Sequence, residues 1–172
     1  RQPMERYHQA VLGLRNYWYP ATFASRVPRK RPLGIKMLGE ELILIREGEK
    51  IYCLQGRCVH RGVPLTAGKR EFPCTLTCPY HGWTYNLETG ALVAALTDGP
   101  ESTIVGKVKL KTYPVELRQG VVWVFVGDGD APPIEEDVFP EFLQSGALVG
   151  GRVFEWTGNW RLAMEGSIDP SH

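Results

Sequence analysis

Two short arms constrain this chain more than any other stretch. Cys58-Val59-His60-Arg61-Gly62 and Cys78-Pro79-Tyr80-His81-Gly82-Trp83 each offer one thiolate and one imidazole, and seventeen residues separate His60 from Cys78. Two sulfurs and two nitrogens suit a metal. The candidates are one tetrahedral zinc, or an iron–sulfur centre in which two Cys hold one iron and two His hold the other. Structural zinc sites usually pair Cys with Cys and His with His along the chain, whereas each arm here mixes them. Gly62 and Gly82 lie just after the histidines. A residue without a Cβ lets a ligand loop turn tightly and brings backbone N–H groups close to a bridging sulfide.

The 172 residues suffice for one well-packed domain, or for one domain and the start of another. Twenty basic against 19 acidic residues leave the charge nearly balanced, so neither nucleic acid nor a membrane surface is expected as a partner. No apolar run approaches the roughly 20 residues of a membrane span, and no signal-peptide pattern opens the chain. The first residue is Arg rather than Met, so the native start is expected to lie upstream. Cys53, inside Ile51-Tyr52-Cys53-Leu54, reads as a reduced core thiol, and Cys74 as a spectator. Nothing demands an oxidising compartment, which points to the cytoplasm.

Residues 5–14 read as a short amphipathic helix with His8 on its surface, and a strand-like stretch runs from Asn16 to Phe23. Arg29-Lys30-Arg31, between prolines, reads as a solvated loop. Leu33–Leu38, Leu42–Arg46 and Lys50–Leu54 are short runs of β-formers separated by Gly and charged residues, as in an antiparallel meander. Further strands are expected at 108–113, 115–117 and 121–126. The last is apolar throughout, as in a strand buried on both faces. A module boundary is expected near 127–140. Beyond it, Arg152–Trp156 reads as a strand and Asn159 as the cap of a helix beginning at Trp160. Trp160, Met164 and Ile168 recur every four residues and predict a buried face, and Pro170 stops the helix.

The two arms resemble the Rieske fingerprint. The tail Asn159-Trp160-Arg161-Leu-Ala-Met-Glu165-Gly-Ser-Ile-Asp169-Pro-Ser-His172 resembles the opening of the catalytic domain in Rieske non-haem iron ring-hydroxylating oxygenases. The likeness is greatest to the group built of α subunits only, to which carbazole and phthalate dioxygenases belong. Many members have an asparagine where Glu165-Gly166-Ser167 stands here.

The resemblance implies a mostly β fold. A short N-terminal helix (1–16) precedes an antiparallel Rieske [2Fe–2S] domain (17–135), and a linker and the incomplete start of an α+β catalytic domain follow (136–172). It implies that Cys58, His60, Cys78 and His81 hold the cluster, with Trp83 shielding it. His172 becomes the first ligand of a mononuclear Fe(II), whose remaining ligands lie outside this sequence. Asp169 becomes the bridge that carries electrons from His81 of a neighbouring subunit. Such proteins form head-to-tail rings, often homotrimers. They take electrons from NAD(P)H through a reductase or ferredoxin, and use O₂ to hydroxylate an aromatic small molecule. The alternatives are a stand-alone Rieske ferredoxin, which would have no use for residues 159–172, and a colourless zinc-stabilised domain.

Respiratory Rieske proteins add a cysteine to each arm, where Val63 and Tyr80 stand here, and a serine where Trp83 stands. Fewer hydrogen bonds to sulfur stabilise the reduced cluster less. A potential toward the low end of roughly −150 to +300 mV is therefore expected.

Overall fold

The computed structural model describes residues 5, 7–8, 10–154 and 156–169. Among the described residues, ten strands form three antiparallel sheets: β1 (Tyr17–Phe23), β10 (Val121–Val126) and β9 (Val115–Arg118); β2 (Leu33–Met37), β3 (Glu40–Glu47), β4 (Lys50–Gln55) and β8 (Thr112–Tyr113); and β5 (Thr75–Thr77), β6 (Trp83–Asn86) and β7 (Leu92–Ala95), each in that spatial order.

Two strands whose apolar runs do not alternate explain the layering. Side chains of a strand point to opposite faces in turn. In β3, Leu42 and Leu44 pack with Cys53, Val122, Val124 and Val126, while Ile43 and Ile45 pack with Leu54, Leu76, Tyr85 and Leu92. In β10, the even residues join that first core, while Val121, Trp123 and Phe125 join a third with Trp18, Ile134 and Val138. Each strand therefore separates two cores, as the run at 121–126 predicts. The β2–β3 meander also forms as expected. Its turn residues Leu38 and Gly39 both have positive φ, 47° and 80°, a conformation that matches the twist of a tight hairpin.

The ends differ from expectation. Glu5, Tyr7 and His8 are helical, but Ala10 and the residues after it are not, so the described helix is shorter than 5–14. Residues 108–111 are not part of a strand; β8 begins at Thr112. The described residues of 152–156 form no strand. The helix Trp160–Ile168 forms, and the Asn159 side chain accepts from Arg161 N at 3.0 Å, as a cap should. Its apolar positions are not buried: Met164 is 49% and Ile168 77% exposed. Spacing marks a face, but burial needs another surface to meet it. Past residue 135 the chain still packs on the first sheet, through Val138 and through the Asp137 carboxylate, which accepts from Trp18 N at 2.9 Å.

Candidate metal centre

The two arms have the same backbone wiring although their histidines are spaced differently. Cys58 N donates to Val63 O at 2.9 Å and Gly62 N to Cys58 O at 2.8 Å; Cys78 N donates to Trp83 O at 2.8 Å and Gly82 N to Cys78 O at 3.1 Å. The shared element is cysteine and glycine four apart, with φ of 68° at Gly62 and 65° at Gly82. The sequence requires these glycines, because a Cβ disfavours that left-handed conformation. The second arm joins β5 to β6, with Thr77 and Thr84 hydroxyls 2.9 Å apart at its base. Thr97 Oγ1 donates to His81 O at 3.0 Å, tying the loop after β7 to that arm.

The fold brings the four predicted ligands together as two pairs. Cys58 and Cys78 are buried at the end of the core formed by Ile43, Leu65, Leu76 and Tyr85. Burial, with the neighbouring Cys58 thiol, pushes the Cys78 thiol up, and a bound cation would favour its thiolate. His60 and His81 are half-exposed, and their Nδ1 atoms face each other at 3.1 Å. Two nitrogens on one tetrahedral metal at ~2.0–2.1 Å stand roughly 3.3 Å apart, so this pair is set for one ion. Among the described residues, no three His, Cys, Asp or Glu side chains surround a single-ion position. The donors divide into a buried sulfur pair and a surface nitrogen pair. That division fits a two-iron cluster with mixed ligation rather than one zinc.

Aromatic rings enclose the site. Trp83, 7% exposed, stacks on His60 with ring centroids 4.4 Å apart and planes within 6°. Tyr80, exposed, lies against His81 at 3.8 Å between centroids. Tyr85 escaped the sequence reading. Its hydroxyl sits 3.0 Å from Cys58 Sγ, and burial first, then the bond to Cys58, pushes the phenol up, so that it could donate to a Cys58 thiolate. The alternation Trp83-Thr84-Tyr85 is the signal that could have found it, since both aromatic rings then face the same side of a strand.

Cys53 is buried and far above the ordinary thiol pKa through desolvation, while Cys74 is exposed; both are free, as expected. Asp169 ends the helix in extended conformation, with φ −73° and ψ 117°. His172 lies outside the described residues.

Residues 17–114 match the family described as the Rieske [2Fe–2S] domain. The chain belongs to this Rieske family. Residues 125–172 match the family described as homotrimeric ring hydroxylase, so both halves of the sequence resemblance stand. The chain is 44% identical over 167 residues to the terminal oxygenase component of carbazole 1,9a-dioxygenase from Metapseudomonas resinovorans, covering 96% of this chain and 43% of that protein. It is 33% identical to 3-chlorobenzoate-3,4-dioxygenase oxygenase subunit from Comamonas testosteroni, covering 92% and 37%. Among solved structures, the terminal oxygenase of carbazole 1,9a-dioxygenase from Novosphingobium sp. KA1 matches with a TM-score of 0.87 at 40% identity, over 95% of this chain and 44% of that one. The reduced complex between oxygenase and ferredoxin in carbazole 1,9a-dioxygenase matches with a TM-score of 0.88 at 44% identity, over 97% and 43%. This Rieske chain thus spans less than half the length of these relatives and corresponds to an N-terminal portion.

Proposed function

We propose that this chain is the electron-receiving portion of a ring-hydroxylating terminal oxygenase, with its [2Fe–2S] cluster held by Cys58, Cys78, His60 and His81. The observation that carries the reading is the division of donors into a buried thiol pair and a surface imidazole pair whose Nδ1 atoms stand 3.1 Å apart. When bound, the cluster supplies one-electron transfer, and the mononuclear iron of such oxygenases supplies dioxygen chemistry.

This chain's residues do the rest. Burial of Cys58 and Cys78 keeps water from the sulfur side. Tyr85 donates to Cys58 Sγ and offsets negative charge there. His60 and His81 leave one face of the site open to a partner, and Trp83 and Tyr80 flank them. Asp169 serves as the bridge to a neighbouring subunit's cluster, and His172 as the first ligand of the mononuclear iron. The division is an N-terminal segment to residue 16, the cluster domain 17–135 and the start of the catalytic domain from 136.

The partners are a ferredoxin or reductase drawing on NAD(P)H, an aromatic substrate with O₂, and two further copies in a head-to-tail trimer. No described helix is long and apolar enough to cross a membrane, and we place the protein in the cytoplasm. Anaerobic reconstitution with iron and sulfide tests the proposal. A brown chain carrying two irons, paramagnetic on one-electron reduction and with hyperfine coupling to two imidazole nitrogens, is expected. A colourless chain that takes up one zinc instead would overturn it.

A further inference from the structure

The helix Trp160–Ile168 ends on Asp169, yet none of its side chains is buried in the cluster domain. What holds it is a segment from the opposite end of the chain. Arg161 Nη2 donates to the carbonyls of Tyr7 at 2.9 Å, His8 at 3.2 Å and Ala10. Its guanidinium lies over the Tyr7 ring, 5.3 Å from the centroid, and over Trp160 at 5.2 Å. Trp160 Nε1 donates to Val11 O at 3.1 Å, and Tyr7 OH donates to Glu165 Oε1 at 2.8 Å. Among the described residues, the side-chain hydrogen bonds that leave the helix from Trp160, Arg161 and Glu165 end on Tyr7, His8, Ala10 and Val11. The contact is close enough that Arg161 Nε is shut off from solvent.

The other side of that segment rests on the cluster domain. Leu12 fills the space where Gly39 has no Cβ, and Leu38 fills the matching space at Gly13. Leu38 and Gly39 form the β2–β3 turn. Two residues on, Arg15 pairs with Glu40 at the start of β3. Tyr7, His8 and Ala10–Gly13 therefore form a strap, with the hairpin turn on one side and the helix on the other. Carbonyls at the end of a helix and just beyond it lack intrahelical donors, and the two N–H groups of Arg161 Nη2, one of them shared, reach those of Tyr7, His8 and Ala10.

We propose that Arg161 is a positioning residue: it clamps Tyr7, His8 and Ala10 to the helix Trp160–Ile168, and so sets where Asp169 stands relative to the cluster domain. The functional weight of that position rests on the bridging role proposed for Asp169; the clamp itself does not. A lysine, with a point charge instead of a planar fork, replaces it only in part.

Two readouts test this on the reconstituted chain. Hydrogen exchange needs no cluster. In Arg161→Ala, amides of 160–168 should lose protection about tenfold, with those of Ile43 to Ile45 unchanged and Arg161→Lys in between. A nitroxide on Ser167→Cys, in a Cys74→Ser background, reports the distance from the helix to the paramagnetic reduced cluster. That distribution should broaden in Arg161→Ala with the cluster spectrum unaltered. If Arg161→Ala does not fold, Tyr7→Ala removes the strap's ring and Glu165 contact and should give the same two changes. Unchanged exchange and an unchanged distance distribution in whichever variant folds would sink the proposal. A chain that binds no cluster refutes the proposed function instead, and leaves hydrogen exchange to decide on the clamp.

Discussion

His60 and Trp83 lie face to face, with their planes within 6° and centroids 4.4 Å apart. The indole is nine-tenths buried and covers one face of this candidate ligand, whose ring also meets that of His81 at 4.8 Å between centroids. An aromatic pair of this kind contributes ~0.5–1.5 kcal/mol beyond the area it buries. Trp83→Leu should therefore leave the cluster bound but less durable, and Trp83→Phe, which keeps a ring in place, should lie between it and the wild type. Bleaching of the visible absorption under chelator measures this; equal rates in all three proteins would show that the stack does not protect the site.

Tyr85, with its hydroxyl 3.0 Å from Cys58 Sγ, is placed to tune a cluster held by that sulfur. A hydrogen bond to a charged acceptor contributes ~1.5–3 kcal/mol, and only the part gained as sulfur becomes more negative affects the potential. With ~59 mV per factor of ten for one electron, Tyr85→Phe should lower the midpoint potential by roughly 50 mV while preserving the ring packing. A redox titration of both proteins checks the sign. The same titration tests whether the wild type lies toward the low end of the Rieske range, since Trp83 brings no hydroxyl to the second arm.

The two arm glycines are not equivalent. An alanine at either meets the same left-handed backbone cost of ~1–2 kcal/mol. At Gly82 a Cβ would also stand 2.8 Å from Leu96 Cβ, whereas at Gly62 nothing lies within 4 Å. Gly82→Ala should lose more iron per chain after reconstitution than Gly62→Ala. The reverse order would mean that the closeness of Leu96 is unimportant.

Acid stability should carry the signature of Glu40. Burial pushes its carboxyl up, but hydrogen bonds from Tyr113 and Arg15 and the charge of Lys111 outweigh this and hold it below the usual value. A carboxylate depressed on folding stabilises the protein above its unfolded pKa of ~4.3 and loses that contribution as pH falls through the folded value. Glu40→Gln should cost on the order of 1 kcal/mol near neutrality, after allowing for solvent screening of a partly exposed group. The gap from wild type should shrink below about pH 4.3. Urea midpoints at pH 7 and in acid measure it; a gap independent of pH would remove Glu40 from the acid response.

The candidate ligand set and most of the strands were legible in the amino-acid sequence. Cysteine, histidine and glycine in fixed order are required by soft-metal coordination and by tight loops, and these needs are local. The unbroken apolar run 121–126 likewise announced a strand with a core on each side. The tertiary structure alone decided how the donors divide. Cys58 and Cys78 belong to the core, while His60 and His81 are half-exposed with Nδ1 facing Nδ1. That arrangement depends on two loops 20 residues apart meeting, and no local spacing encodes it. The same holds for Tyr85 on Cys58, and for the strap between Arg161 and Tyr7, whose partners are 27 and 154 residues apart in the chain. It holds too for the face of Trp160, Met164 and Ile168. The four-residue period made a helix legible there, but a period says nothing about whether another surface arrives to cover it.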